Sequence, residues 1–388
     1  MNICILTPRF PFPQYGGDTL RINEIARHLK RQGHRLVLVS LSDEAVPPVD
    51  QAGQLYDKVY FVQRSRYRSL FVGSLYFLKG KPIQCGYYRD AAYQKMLKEV
   101  IKQEKPDLYI SHLLRLAPYL EELGLQQSSI IEMTDALSKT YGLSLNAKGV
   151  GLLKYVYALE KRLISRYEQH VIRTFPKVVL VSQADIDYLG AKAPNAARSL
   201  ALHSNGVGYL EQLPSVYNPD KICFLGNMRS MQNQDAVIHF VKDIFPLIKA
   251  QRQTAKCYIV GSLPPENIQA LESEDVIITG FVEDLEATIA DSCLSVAPIR
   301  VAAGIQNKVL VAMGCGVPVV MTSLISQAIP ELEDGKNCYI LDDNQAFANA
   351  CLRLMGDKDL RNEVGQEGYR MVKQHFSWEE KLKGFEEV

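Results

Sequence analysis

An α/β fold with parallel sheets is predicted by three features of the chain. Strand-like apolar runs alternate with helix-like segments from end to end, the pattern of parallel strands with helices on both faces. A length of 388 residues exceeds one average domain and suits two. Third, the segment Leu213-Pro-Ser-Val-Tyr-Asn-Pro219 sets two prolines just before a fresh strand, which marks it as the best linker. The expected division is therefore 1–213 and 214–370, with 371–388 as a C-terminal helix returning toward the first domain.

In order, the pattern predicts a strand at Ile3–Thr7, a helix at Thr19–Gln32 and a strand at Leu36–Leu41, then a less regular region. Strands follow at Leu108–Ser111 and Ile130–Met133, a long helix near Leu152–Arg173, and a strand at Val178–Ser182. The second half repeats the rhythm through strands at Ile222–Leu225, Cys257–Val260, Val276–Thr279, Leu294–Ala297, Val317–Met321 and Cys338–Leu341. No fixed-period repeat or low-complexity tract interrupts it. In open α/β sheets ligands bind beyond the carboxyl ends of the strands, so a cleft between the domains is the expected site.

Composition narrows the class. With 47% hydrophobic and 22% charged residues the chain reads as a soluble globular protein. Its eight cysteines show no CxxC pair or Cys/His spacing suited to zinc, so buried thiols in a reducing cytosol are expected and no metal is. The start, Met1-Asn-Ile-Cys-Ile-Leu, lacks a basic leader and reads as a first strand. The apolar run Leu70–Leu78 is far shorter than the roughly 20 residues of a spanning helix. The net charge of +1 hides an asymmetry: residues 1–200 hold 28 Lys/Arg against 18 Asp/Glu, and the remainder 16 against 25. A basic first domain suits an anionic membrane surface or a phosphorylated acceptor. Nucleic acid is the competing partner, but no basic-aromatic module or helix-turn-helix supports it.

The most informative stretch runs from Ala297-Pro-Ile-Arg to Met321-Thr-Ser323. It reads as a strand end, a small-residue loop, a short helix and another buried strand, with Val309, Leu310, Ala312 and Met313 on one apolar face and Gly314 and Gly316 as the stop. A helix opening at Ala303-Gly304-Ile305, before Gln306 and Asn307, directs free N–H groups toward a phosphate, and Lys308 sits one turn in. A surface lysine in an ordinary βαβ unit is the plain alternative. Strand one ends in a loop with Gly16-Gly17-Asp18, where adjacent glycines allow close backbone approach and Asp18 can cap the following helix, which carries Arg21. A simple turn reads the same way. His112 follows the strand Leu108–Ser111, where a ring able both to donate and accept suits a ligand, although a lone histidine is commonly structural. Asp135 after Ile130–Met133 reads as an acid at a strand end or as a helix cap. Phe224-Leu-Gly226-Asn-Met-Arg229 is a strand, a Gly turn and an exposed arginine.

Taken together, Pro298-Ile-Arg…Gly304-Ile-Gln-Asn-Lys308, the Gly16-Gly17 loop, the Asn205-Gly206-Val207 turn and the Gly226…Arg229 turn resemble family 4 glycosyltransferases of GT-B fold over nearly the whole chain. The similarity is closest to the branch beside exosortase and exopolysaccharide genes. It implies two facing Rossmann-like domains and a nucleotide-diphosphate sugar held by Gly16, Gly17, Arg229, Gly304, Ile305, Gln306, Asn307 and Lys308. It implies His112 and Asp135 at the transferred sugar, retention of configuration, no metal and no cofactor, and a lipid-linked or surface-glycan acceptor. The chain departs from the family at Ala303 and Val311, where two glutamates usually stand, and at Gly208, where an aspartate is usual. Two rivals stay open: a nucleotide-sugar 2-epimerase of the same fold, and a degenerate nucleotide-sugar-binding protein. The run Arg64, Arg66, Arg68, Phe71 to Lys79 and Lys81 mixes cations with aromatics, as at a lipid interface or in a loop with buried aromatics. The first reading makes the protein cytoplasmic and peripheral on the inner membrane face.

Overall fold

The computed structural model describes residues 1–14, 16–144, 153–300 and 306–388. They divide into two compact units, Met1–Asn205 with Leu382–Val388, and Gly206–Lys381. The division falls after Asn205 rather than after 213. The reason is packing: Leu210 N–H donates to Gly314 C=O at 3.0 Å and Val207 N–H to Phe376 C=O at 2.8 Å, so this stretch belongs to the second unit. Of the expected C-terminal segment, the helix Lys358–His375 and Trp378–Lys381 also belong there. Only Leu382–Val388 joins the first unit, where Lys177 Nζ donates to the carbonyls of Gly384 and Glu387 at 2.6 and 2.9 Å.

In the first unit the strands are β1 (Asn2–Thr7), β2 (Arg35–Ser42), β3 (Lys58–Gln63), β4 (Leu108–His112), β5 (Ser129–Thr134), β6 (Lys177–Leu180) and β7 (Leu200–Leu202). They form one parallel sheet in the order β3-β2-β1-β4-β5-β6-β7. Cys4, Leu6, Val37, Val39, Ile131 and Val178 sit in its core, buried as strands covered on both faces must be. The helix Gly17–Arg31 lies on the sheet through Ile22, Ile25, Ala26 and Leu29, whose spacing makes one helical face. Sequence periodicity missed β3, an edge strand whose run Val59-Tyr60-Phe61-Val62 is half-buried throughout and so shows no alternation of buried and exposed residues. It also missed β7, a three-residue edge strand.

The second unit holds β8 (Asn218–Leu225), β9 (Lys256–Val260), β10 (Val276–Gly280), β11 (Ser292–Ala297), β12 (Val319–Met321) and β13 (Tyr339–Ile340). These are again parallel, in the order β10-β9-β8-β11-β12-β13. Each sheet therefore reverses its strand order once, between β1 and β4 and between β8 and β11, and the carboxyl ends at such points are where open sheets hold ligands. Arg361, on the helix Lys358–His375, ties that helix to the sheet by donating to the carbonyls of Ser292 and Cys293 at 2.9 and 3.1 Å. All eight cysteines are free and buried. Burial raises the Cys293 thiol to about 11 and Cys315 to about 12.

The Asn205-Gly206-Val207 turn is held by packing. A Cβ at Gly206 would lie 2.5 Å from both the N and Cα of Trp378, so only glycine lets the two backbones approach. Gly206→Ala is expected to destabilise the second unit by ~1–3 kcal/mol, the usual cost of overpacking against backbone, lowering the urea midpoint. An unchanged midpoint would show that the backbone yields at no cost.

Candidate functional site

In the first unit the site residues gather at the β1/β4 switch point. Gly16 caps the helix Gly17–Arg31 with φ 93, a left-handed value that glycine alone adopts without strain. Gly17 opens the helix with free space where a Cβ would stand. Asp18 does not cap the helix as expected; it sits in the first turn and pairs with Arg9 at 3.3 Å.

One turn on, Arg21 is fully buried beneath this loop. Its Nε donates to Glu132 Oε1 at 2.7 Å, and its Nη1 and Nη2 donate to Asn205 Oδ1 and the His203 carbonyl at 2.9 and 2.8 Å. His112, the last residue of β4, donates from Nδ1 to Glu132 Oε2 at 2.7 Å. Burial pushes the Glu132 carboxyl up, but Arg21 and His112 outweigh it and hold it at about 2. An ionised carboxylate only accepts, so His112 Nδ1 carries the hydrogen and the ring's orientation is fixed. Its Nε2 is buried with no hydrogen-bond partner among the described residues, the one ring nitrogen left unengaged. Asp135, on the loop after β5, is exposed. Partial desolvation and the neighbouring Asp185 and Glu132 carboxylates raise its pKa. The sequence reading passed over Glu132 as part of an apolar strand. The signal was there, since a carboxylate inside Ser129-Ile-Ile-Glu-Met must be paired if the strand is buried.

In the second unit a pocket of about 320 Å³ opens at the β8/β11 switch point. Leu225, Val260, Phe281, Val282 and Val311 make it largely apolar, while Asn227, Ser262 and Lys308 supply polar groups. Lys308 is half-buried at the start of the helix Asn307–Gly314, over the Phe224 ring at 5.1 Å. Its Nζ donates to Asn233 Oδ1, and no carboxylate pairs with it among the described residues. Burial alone lowers it to about 8. Asn233 in turn donates to the Asn227 carbonyl at 2.8 Å, so one buried amide joins the turn after β8 to the lysine. The sequence reading missed that link.

The expected donor residues divide. Gln306 is buried at the helix cap, Asn307 is the exposed first helical residue, and Gly304 and Ile305, with Ala303, lie outside the described residues. Arg229 is exposed in the turn after β8, its N–H donating to Asn227 Oδ1 at 3.0 Å, and it is not among the residues lining the pocket. Val311 does line it, so the position where the resemblance expects a glutamate falls on the pocket wall.

The basic-aromatic run is a helix, Arg66–Leu78. Arg64 does not belong to its surface: it is buried, pairs with Asp43 at 2.5 Å and rests over Tyr87 and Tyr88 at 4.5 and 4.9 Å. Arg66, Arg68, Phe71, Lys79 and Lys81 are exposed. No helix among the described residues is long and apolar enough to cross a membrane. Among them, no group of three His, Cys, Asp or Glu is placed to hold a metal ion.

Comparison with known proteins gives these sites a context. Residues 219–357 match the family model for glycosyl transferases group 1. Over 97% of its length the chain is 21% identical to an uncharacterized 44.6 kDa protein in the cps region of Klebsiella pneumoniae, covering 96% of that protein. Over 38% of its length it is 26% identical to the capsular polysaccharide biosynthesis glycosyltransferase CapM of Staphylococcus aureus, covering 42% of it. Among solved structures, Anabaena HepE in complex with UDP and glucose superposes with a TM-score of 0.59 at 16% identity, covering 99% of this chain and 98% of that one. The two parallel sheets are those of the GT-B fold.

The buried carboxylate makes stability depend on acid. A depressed native pKa contributes stability that is complete above the unfolded value and lost as pH falls through the native one, here from about 4.5 toward about 2. Glu132→Gln leaves Arg21 buried without its counter-charge, so the variant is expected to lose ~3 kcal/mol or more at pH 7. Its melting temperature should also fall less steeply than the parent's below about pH 4.5. Parallel melting curves against pH in the two proteins would refute the network's electrostatic role.

Proposed function

We propose that the chain, whose residues 219–357 match the family model for glycosyl transferases group 1, moves a sugar from a nucleoside-diphosphate sugar to a growing or lipid-linked glycan. One observation carries this reading: a half-buried lysine with no carboxylate partner among the described residues, set in an apolar pocket at the β8/β11 switch point. Holding a charged ammonium there costs desolvation energy, which an incoming diphosphate repays. In this reading the base and ribose occupy the apolar pocket, with the Phe281 ring available to the base. Lys308 takes the phosphates together with the helix N-terminus at Gln306–Asn307, and Arg229 closes on them from its exposed turn. The cations then stabilise the charge that develops as the sugar–phosphate bond breaks, without a metal or cofactor. The acceptor hydroxyl attacks from the face the diphosphate leaves, retaining configuration. His112 Nε2, whose tautomer Glu132 fixes, is left to bond a sugar hydroxyl, and Asp135, after the neighbouring strand β5 and with its raised pKa, is the candidate acid.

Calorimetry with a nucleoside diphosphate tests the phosphate site. Lys308→Ala and Arg229→Ala should each weaken binding by ~1.5–3 kcal/mol, the worth of a charged hydrogen bond. In the parent, affinity should fall as pH rises above about 8, where the free ammonium loses its proton, and Lys308→Ala should flatten that dependence. Unchanged affinity in both variants would overturn the assignment.

Val311 generates a second test, because an apolar wall cannot accept the ribose hydroxyls. The parent should distinguish ribose from deoxyribose poorly. Val311→Glu should tighten a ribonucleotide more than its deoxy analogue, by up to ~3 kcal/mol, provided melting shows the helix intact. Strong discrimination by the parent with no gain in the variant would place the ribose elsewhere. Failure of both proteins to bind any nucleotide would overturn the transfer reading.

A further inference from the structure

The helix Arg66–Leu78 keeps the wrong face outward for a purely soluble surface. Tyr67, Leu70, Phe71, Leu75 and Leu78 are spaced three or four apart, which places them on one side of a helix about 20 Å long. All five are exposed, Tyr67 at 87% and Leu78 at 81%. The opposite side carries the contacts: Ser69 and Gly73 are buried, and the helix packs on Ile83–Tyr87, where Ile83 sits beside Gly73. The first two N–H groups of that neighbour, Ile83 and Gln84, are held by the Glu160 carboxylate at 2.9 and 3.2 Å. The stripe is thus fixed on a braced support, and its apolar side chains are left exposed by the described residues of the first unit.

We propose that this helix lies in the plane of an anionic lipid bilayer, its apolar stripe among the acyl chains and its flanking cations on the phosphates. The charge pattern selects that occupant. From Lys58 to Arg89 there are seven Lys or Arg and no Asp or Glu. Two of the cations are internally paired, Arg64 with Asp43 and Arg89 with Glu122. Arg68, Lys79 and Lys81 have no carboxylate partner among the described residues, and Arg66 only approaches Asp43, at 3.9 Å. Cations therefore stand at both ends of the stripe, Arg66 and Arg68 at its start and Lys79 and Lys81 beyond its end, the arrangement of an interfacial helix. A second copy of the chain would meet like charge with like charge. At 13 residues the helix is too short to span a bilayer and long enough to lie on one.

Beside the stripe, a groove of about 380 Å³ is lined by Phe71, Val72, Arg68 and Arg89. Among the described residues Arg89 Nη1 is buried without a hydrogen-bond partner. Asp90 also lines the groove, but its carboxylate accepts from Ala92 and Tyr93 N–H at 2.8 and 3.1 Å and is turned into the next helix. A lipid phosphate fits between the two guanidiniums with its acyl chains along Phe71. The proposal stands on this helix and its groove and is independent of the transfer reading.

Co-sedimentation of the full chain with vesicles tests it. The chain should pellet with phosphatidylcholine vesicles containing phosphatidylglycerol, and much less with phosphatidylcholine alone. Binding should weaken as salt rises past 0.1 M, where exposed charges are screened beyond about 10 Å. The double variant Leu70→Ser with Phe71→Ser, which changes exposed positions only, should lose about tenfold or more in vesicle affinity while keeping its melting temperature and nucleotide binding. Arg68→Glu with Lys79→Glu should remove the preference for anionic vesicles. Three results would overturn the proposal: equal binding to both vesicle types, full binding by the serine variant, or no vesicle binding with a solution dimer that the serine variant dissociates. The last would assign the stripe to a second copy of the chain.

Discussion

A carboxylate buried in the middle of a parallel sheet organises the first unit. Glu132 is fully enclosed and ionised, a state that survives only because two cationic or donating groups converge on it. Those groups come from distant parts of the chain. Arg21 belongs to the helix after β1, His112 ends β4, and Arg21 also reaches His203 and Asn205 beyond β7. One charge therefore fixes the relative positions of four chain segments at the carboxyl edge of the sheet, and it sets which nitrogen of His112 is left to act. The stabilisation and the poise of the candidate site have the same physical origin.

The second unit solves the opposite problem. There a cation is left without a counter-charge among the described residues, and its burial brings the ammonium down to about 8. Asn233 holds it in place with a neutral amide, which positions the charge without cancelling it. A paired lysine would cost less to fold and offer less to an anion. That contrast sets a satisfied charge network in one unit against an unpaired charge in the candidate site of the other.

Much of this was legible in the sequence, for identifiable reasons. Alternation of strands and helices is a property of long apolar periodicities, so the two parallel sheets followed from it, and Lys308 was visible because it sits at a helix start after a strand. Other features depend on which partner a residue finds in three dimensions. Glu132 reads as an ordinary strand residue until Arg21 is seen against it. Arg64 reads as one more surface cation, yet it turns inward to Asp43 and two tyrosine rings. Asp18 stands where a cap would stand, but Gly16 takes that place and Asp18 pairs with Arg9. The strand β3 escaped notice because an edge strand with both faces half-covered carries no clear period.

The cysteines carry a practical consequence. All eight thiols are shut inside the two cores, and burial raises the pKa of those on the strands and helices there well above neutral pH. Reaction with maleimides or spin labels needs an accessible thiolate, and the native chain offers none. A single cysteine introduced at an outward-facing position is then the sole reactive handle, with no need to strip the native ones and disturb the packing they complete. The molecule is thus already suited to site-specific fluorescence or distance measurement as it stands.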